Sequence, residues 1–329
     1  VSKESMLAEN NTGFTIGIDM GGTKILTALV NSHGNIVKTT RYSTAVTEGK
    51  DRIIAQITQS VHEVSAGLDL GRDIIGIGVS CAGPVDPENG VLVQGTNLGW
   101  DNAPLKSILE DRFKLPVYVE NDANTAAIAE HRLGAGAGSK DMVYVTISTG
   151  IGGGLILGGQ IYRGANFAAG EIGHIIVEIE GPECNCGSRG CVEAVASGPA
   201  TARRAVERIR RGETSAIIQM VEGELDKVTG EIVYRAAANG DSLAGEVVYQ
   251  SGRYIGVALA SLVNILNPEV IVIGGGVAKA GELLFKPLRE NLTIRVMRSQ
   301  REKVKVVASK FGSYSSVLGA AFLPYLTGE

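Results

Sequence analysis

Twice in this chain an apolar strand runs into glycines and comes out as strand again. The first instance is Ile18-Asp19-Met20-Gly21-Gly22-Thr23, followed by a strand at Lys24–Val30. The second is Ile147-Ser148-Thr149-Gly150-Ile151-Gly152-Gly153, followed by a strand at Gly154–Leu157. A Rossmann or P-loop unit passes from its glycine turn directly into a helix, so the strand after each turn here rules out both. A hairpin with a bare-backbone turn can instead aim N–H groups at phosphate oxygens. Its recurrence at the start and the middle of 329 residues, more than one ordinary core holds, predicts two related α/β lobes with a cleft between them. The expected division is 1–120 and 121–313, with the last helix, 314–329, crossing back to the first lobe.

The rest of the pattern agrees. Phe14–Asp19, Lys24–Val30 and Ile36–Ser43 read as an antiparallel meander, and residues 1–12 as a disordered lead. Ile53, Ile54, Ile57, Val61 and Val64 recur at helical spacing. Pro116–Glu120 is a strand that gives way to a helix at Asp122, a good N-cap residue. Leu243–Leu266 is apolar on more than one face, hence central, and Asn267-Pro268 stops it. The buried strand Val270–Ile273 then runs into a third glycine turn, Gly274-Gly275-Gly276.

Composition narrows the function. The net charge of −4 argues against a nucleic-acid surface, and the basic face of the helix starting at Pro199 reads as solvated. No apolar run reaches the roughly 20 residues that span a bilayer, and the first ten residues carry no secretory core. A cytoplasmic, reducing setting is expected. There, three cysteines within eight positions (Cys184, Cys186, Cys191) with His174 upstream signify metal rather than disulfides. One imidazole and three thiolates form a tetrahedral zinc set. Such a clip would fix the flanking Glu171 and Glu193, and a fixed carboxylate can read a substrate hydroxyl. The lone Cys81 reads as a small buried hydrophobe.

Candidate phosphate groups are Asp19, Gly21, Gly22, Thr23 and Lys24 in the first loop, with Asp19 able to hold Mg2+ through water. Thr149, Gly150, Gly152 and Gly153 form the second loop, and Gly275 and Gly276 belong to the third. Gly17 and Gly22 have Walker spacing, but the Thr-Lys order after them is wrong. Asp122, at the carboxyl end of a strand and the start of a helix, would stay ionised and could accept a proton from an attacking hydroxyl.

Taken in order, Asp19-Met20-Gly21-Gly22-Thr23-Lys24, Glu120-Asn121-Asp122-Ala123-Asn124, Glu171-Ile172-Gly173-His174 and Cys184-x-Cys186-Gly187-x-x-Gly190-Cys191-x-Glu193 resemble the motifs of the ROK family of sugar kinases and sugar-responsive repressors. Thr96-Asn97-Leu98-Gly99-Trp100 resembles its bacterial glucokinases. The resemblance runs from about residue 14 to the end. One departure is Ala82 in Ser80-Cys81-Ala82-Gly83-Pro84, where many relatives have proline. The resemblance implies a two-lobed actin/Hsp70/hexokinase-like fold, a duplicated ribonuclease H-like design with an interdomain cleft. It implies ATP, Mg2+ and structural Zn2+, a hexose substrate (glucose foremost), and a homodimer or homotetramer. By resemblance Asp122 is the general base, Asn97, Asn121, Glu171, His174 and Glu193 bind sugar, and His174, Cys184, Cys186 and Cys191 hold zinc. The alternatives are a kinase for mannose, fructose, N-acetylglucosamine or N-acetylmannosamine, and a repressor. A repressor would need a helix-turn-helix, for which the short polar lead leaves no room.

Overall fold

The computed structural model describes residues 13–326; the expected lead, 1–12, lies outside them. Contacts divide the chain into two compact units. Residues up to Ala137, Ile161–Ala169 and the chain from Tyr314 onward form the first; Gly138–Gln160 and Gly170–Ser313 form the second. The helix Asp122–Arg132 therefore stays with the first unit rather than opening the second. Its packing partner is the reason: it lies along the C-terminal helix Ser315–Leu326 of the same unit.

The first unit holds β1 (Phe14–Met20), β2 (Lys24–Val30), β3 (Ile36–Ser43), β4 (Ile74–Cys81), β5 (Val85–Asp86), β6 (Val91–Gly95), β7 (Trp100–Ala103) and β8 (Val117–Asn121). Its main sheet has the order β3-β2-β1-β4-β8. The first three strands form an antiparallel meander, while β4 is parallel to both β1 and β8. β1 and β4 are apolar almost throughout because they are interior strands, whereas edge strand β3 carries exposed Lys38 and Thr39. The C-terminal helix packs on β1 and β4. Gly78 makes that seat possible, since a Cβ there would stand 1.8 Å from the Ala320 carbonyl oxygen. The small sheet β5-β6-β7 was not expected from the sequence.

The second unit repeats the plan. β9 (Met142–Ile147), β10 (Ile151–Leu157), β12 (Val270–Gly274) and β13 (Lys305–Ala308) belong to it, and β11 (Gln160–Tyr162), which the division cuts after Gln160, completes the sheet order β11-β10-β9-β12-β13. β10 is antiparallel to β9, and β12 is parallel to both β9 and β13. The helix Ser242–Leu266 is capped by Asp241, whose Oδ1 accepts the Ala244 N–H at 2.8 Å. It stops at Asn267, which adopts a left-handed conformation (φ 48°). Among the described residues no helix is long and apolar enough to cross a membrane.

Register decides where chemistry can occur. In the first unit Asp19 pairs with Ser80, Ser80 with Glu120, and Cys81 with Asn121, all at the carboxyl ends of neighbouring parallel strands. In the second, Thr146 pairs with Gly274 at the equivalent ends, just before both glycine turns. Carboxyl ends of parallel strands are where open α/β sheets bind ligands.

Gly78→Ala should destabilise the protein by about 1–3 kcal/mol, because Ala320 backbone cannot yield as a side chain can. A urea midpoint equal to that of the wild type would mean that the C-terminal helix is not seated on β4.

Candidate active site and metal centre

In the first unit the hairpin turn between β1 and β2 closes through the Gly21 N–H to the Lys24 carbonyl at 3.0 Å. Thr44 braces it twice: its Oγ1 donates to the Gly21 carbonyl at 2.6 Å and its N–H to the Thr23 carbonyl at 3.1 Å. Asn97 lies directly against the turn, so close that a Cβ on Gly22 would stand 2.7 Å from the Asn97 Cβ and carbonyl oxygen. Lys24 Nζ is 3.3 Å from Asp19 Oδ2. Burial pushes the Asp19 carboxyl above its usual range, against the pull of Lys24. A carboxylate in that condition is one that a bound cation would relieve, which fits the expected Mg2+ role.

At the β8–helix junction, Asn121 rather than Asp122 is the N-cap. Its Oδ1 accepts the N–H groups of Ala123 at 2.9 Å and Asn124 at 3.2 Å, and its Nδ2 donates to the Gly83 carbonyl at 3.1 Å. Asp122 is the first helical residue, half-buried, with Oδ1 accepting the Ala123 N–H at 2.9 Å. It stands in the positive end of the helix field, which favours the carboxylate. Cys81 is wholly buried nearby, and burial raises its thiol far above the usual range.

In the second unit the turn is shorter than the sequence suggested. β10 resumes at Ile151, so Gly152 and Gly153 are strand residues paired with Thr146 and Val145, not loop. Gly153 serves packing: a Cβ there would meet the Ile172 side chain at 2.1 Å. The turn proper, residues 148–150, is held at both ends. The Gly198 N–H donates to the Ser148 carbonyl at 2.9 Å, and the Ile151 N–H donates to Glu193 Oε2 at 2.8 Å. Beside it opens a cavity of about 810 Å³ whose lining includes Ser148, Thr149, Gly198, Gly230, Tyr234 and Gly276. Two of these, Gly198 and Gly230, begin helices, whose N-termini favour anions. Gly275 (φ 84°) lies against the Ile147 backbone and lets β12 turn away there.

The ligand atoms of His174, Cys184, Cys186 and Cys191 all lie within 4.8 Å of one another. His174 Nδ1 is 3.7 Å from Cys184 Sγ, and Cys186 Sγ is 3.7 Å from Cys191 Sγ. Thiolates about 2.3 Å from a zinc ion at tetrahedral angles stand about 3.8 Å apart, so the cage is the right size. Burial pushes the Cys191 thiol to about 12, while the Ser188 N–H chiefly draws the Cys186 thiol down. A divalent cation would stabilise both thiolates. With Nδ1 turned to the cage, His174 Nε2 stands 3.8 Å from Glu171 Oε2. Cys191 is the N-terminal boundary of the short helix Val192–Ala196, which carries Glu193 in its first turn.

One charged residue escaped the sequence reading. Arg163 donates from Nε to Glu120 Oε2 at 2.7 Å, and Glu120 is itself almost wholly buried. No motif joins residues 43 positions apart.

Known proteins resemble this chain over most of its length. Residues 15–325 match the ROK family. The chain is 38% identical over 313 residues to a glucokinase of Halalkalibacterium halodurans, covering 94% of each. A ROK family glucokinase from Streptomyces griseus, solved with glucose and AMPPNP, superposes with a TM-score of 0.83 at 36% identity, covering 94% of this chain and 99% of that one. A ROK family transcriptional regulator, a homologue of the E. coli MLC protein, superposes with a TM-score of 0.85 at 28% identity, covering 96% and 78%.

Elemental analysis of protein produced with zinc should find about one zinc per chain, as a single Cys3His cage requires. Cys184→Ala should bind none and lose thermal stability. Absence of zinc from the wild-type protein would mean that the four ligands do not act as a site.

Proposed function

The chain belongs to the ROK family, and on that premise we propose that it is an ATP-dependent glucokinase that phosphorylates the 6-hydroxyl of glucose. The observation that carries this reading is the pinned β8–helix junction, which leads an acidic residue into the positive end of a helix. The likeness to glucokinases over nearly the whole chain supports it.

Asp122 is the general base. As the glucose 6-oxygen attacks the γ-phosphorus of ATP, its proton passes to the Asp122 carboxylate and the bond from γ-phosphorus to the leaving ADP oxygen breaks. Such a base contributes roughly 100- to 10,000-fold. Asn97, Asn121, Glu171, His174 and Glu193 are the other sugar contacts in this reading. Glu193 has one oxygen committed to the Ile151 N–H, which leaves the other to accept from a sugar hydroxyl. His174 reads sugar through Nε2, its Nδ1 being turned to the metal cage. A site that pairs each hydroxyl leaves buried groups unsatisfied when one is missing or inverted, and this is the basis of selection among hexoses.

Gly21, Gly22, Thr23 and Lys24 handle phosphate in the first unit. Thr149 and Gly150 do so in the second, with Gly276 beside the nucleoside cavity. Gly152, Gly153 and Gly275 support these turns through the backbone. Asp19 would hold Mg2+, which when bound would offset the charge that develops on the phosphate oxygens. His174, Cys184, Cys186 and Cys191 would hold Zn2+, whose contribution is to stiffen the loop carrying Glu171 and Glu193.

A coupled ADP-release assay across glucose, mannose, fructose, N-acetylglucosamine and N-acetylmannosamine should give the highest kcat/KM with glucose. Preference for another sugar would move the substrate, and no turnover with any would sink the kinase reading. Asp122→Asn should keep glucose affinity and lose roughly 100- to 10,000-fold in kcat; near-normal turnover would end the base assignment.

A further inference from the structure

The residue before Asn121-Asp122 is a buried acid with every partner accounted for. Glu120 is 2% exposed. Its Oε1 accepts the Asn121 N–H at 2.9 Å and the Asn124 Nδ2 at 3.0 Å, both from the junction that carries Asp122. Its Oε2 takes only the Arg163 Nε among these donors, at 2.7 Å. A buried carboxylate is tolerated when it is paired and hydrogen-bonded, and removing one partner leaves the charge uncompensated.

The arrangement carries a cost that stability alone does not explain. Because Asn124 gives its amide N–H to Glu120, its own Oδ1 is buried with no hydrogen-bond partner among the described residues. Buried polar atoms without partners are rare, and those that persist cluster where geometry serves function. Here the orphan is two residues beyond Asp122. Arg163 reaches the junction from Ile161–Ala169, a stretch that clusters with the first unit although the chain on either side of it belongs to the second.

We propose that Arg163 is a positioning residue for phosphoryl transfer: its guanidinium holds the Glu120 carboxylate, and Glu120 fixes the backbone from which Asp122 projects. This rests on the reading of Asp122 as the base. Arg163 touches no reacting atom. It acts through Glu120, then through the Asn121 N–H and the Asn124 amide, on the first turn of the helix. A planar guanidinium sets the direction of this bond as a flexible ammonium cannot, so lysine should not fully replace it.

The test compares the full-length wild type with Arg163→Gln, Arg163→Lys, the double variant Glu120→Gln/Arg163→Gln, and Asp122→Asn. Each is assayed for kcat with glucose and ATP, glucose Kd by calorimetry, and melting temperature. Displacing a catalytic group by about 1 Å can cost about 100-fold, so Arg163→Gln should lose roughly 10- to 100-fold in kcat while glucose Kd changes by less than about threefold. Arg163→Lys should recover part of the loss. The double variant removes the uncompensated charge, so its melting temperature should return toward that of the wild type while kcat stays low. If Arg163→Gln is too unstable to assay, the double variant carries the same comparison. Wild-type kcat in any folded variant lacking Arg163, or a double variant that regains kcat together with stability, would overturn the proposal. Asp122→Asn separates the two readings. If it is inactive while the Arg163 variants are normal, the positioning role alone fails; if it is active, the base assignment fails and the positioning role with it.

Discussion

The hydrogen bond from the Ile151 amide to Glu193 is the constraint on which the second unit depends. It joins parts that the sequence keeps apart: the turn between β9 and β10 and the Glu193 carboxylate, which follows the Cys3His cluster by two residues. Glu193 cannot shift without pulling the turn, and the turn cannot open without releasing Glu193. A Cβ on Gly150 would come within 2.6 Å of the same carboxylate oxygen, so the glycine is there to admit the acid. The Cys3His cluster adjoins it from the other side, since Cys191 begins the helix whose first turn presents Glu193. The glycine turn, the acid and the four clustered ligand side chains are thereby parts of one connected assembly.

The first unit holds its acidic groups differently. Its hairpin turn is braced by Thr44 and abutted by Asn97, and its acidic group is fixed by caps rather than by a cage. Asn121 commits its Oδ1 to the helix N-terminus, and Glu120 commits Oε1 to the junction and Oε2 to Arg163. The helix field then does for Asp122 what burial works against at Asp19: it favours the charged form. Two carboxylates in one unit thus stand in different electrostatic surroundings.

What could be read in the sequence was whatever has a local period. Apolar runs gave β1, β4, β9 and β12, helical spacing gave Lys50–Val64, and Asn267-Pro268 marked the end of the long helix. The ligand cage was legible because cysteine and histidine have few other reasons to crowd. Short strands of mixed polarity were not, so β5, β6 and β7 passed unseen. Boundaries slipped by a residue or more: the cap fell on Asn121, and β10 took in glycines that had looked like loop. Glycine misleads most, because a bare Cα can serve a phosphate or a neighbour's backbone equally well. Gly17, half of the Walker-like spacing, sits where a Cβ would strike the Val317 carbonyl oxygen at 2.1 Å; it makes room for the C-terminal helix, not a ligand.

The repeated sheet order explains why so few residues need special chemistry. In each unit the meander places its hairpin turn beside the carboxyl end of a parallel strand, so a polar residue there falls next to the turn by register alone. Asp19 stands beside Ser80, and Ser80 beside Glu120, because β4 is parallel to both neighbours. In the second unit the same positions are filled by Thr146 and Gly274, and the carboxylate at the turn is Glu193, carried on the short helix Val192–Ala196. One unit can keep its acid on a strand end, where the sheet holds it. The other brings its acid in on a short helix that starts at Cys191, one of four residues whose ligand atoms lie within 4.8 Å of one another.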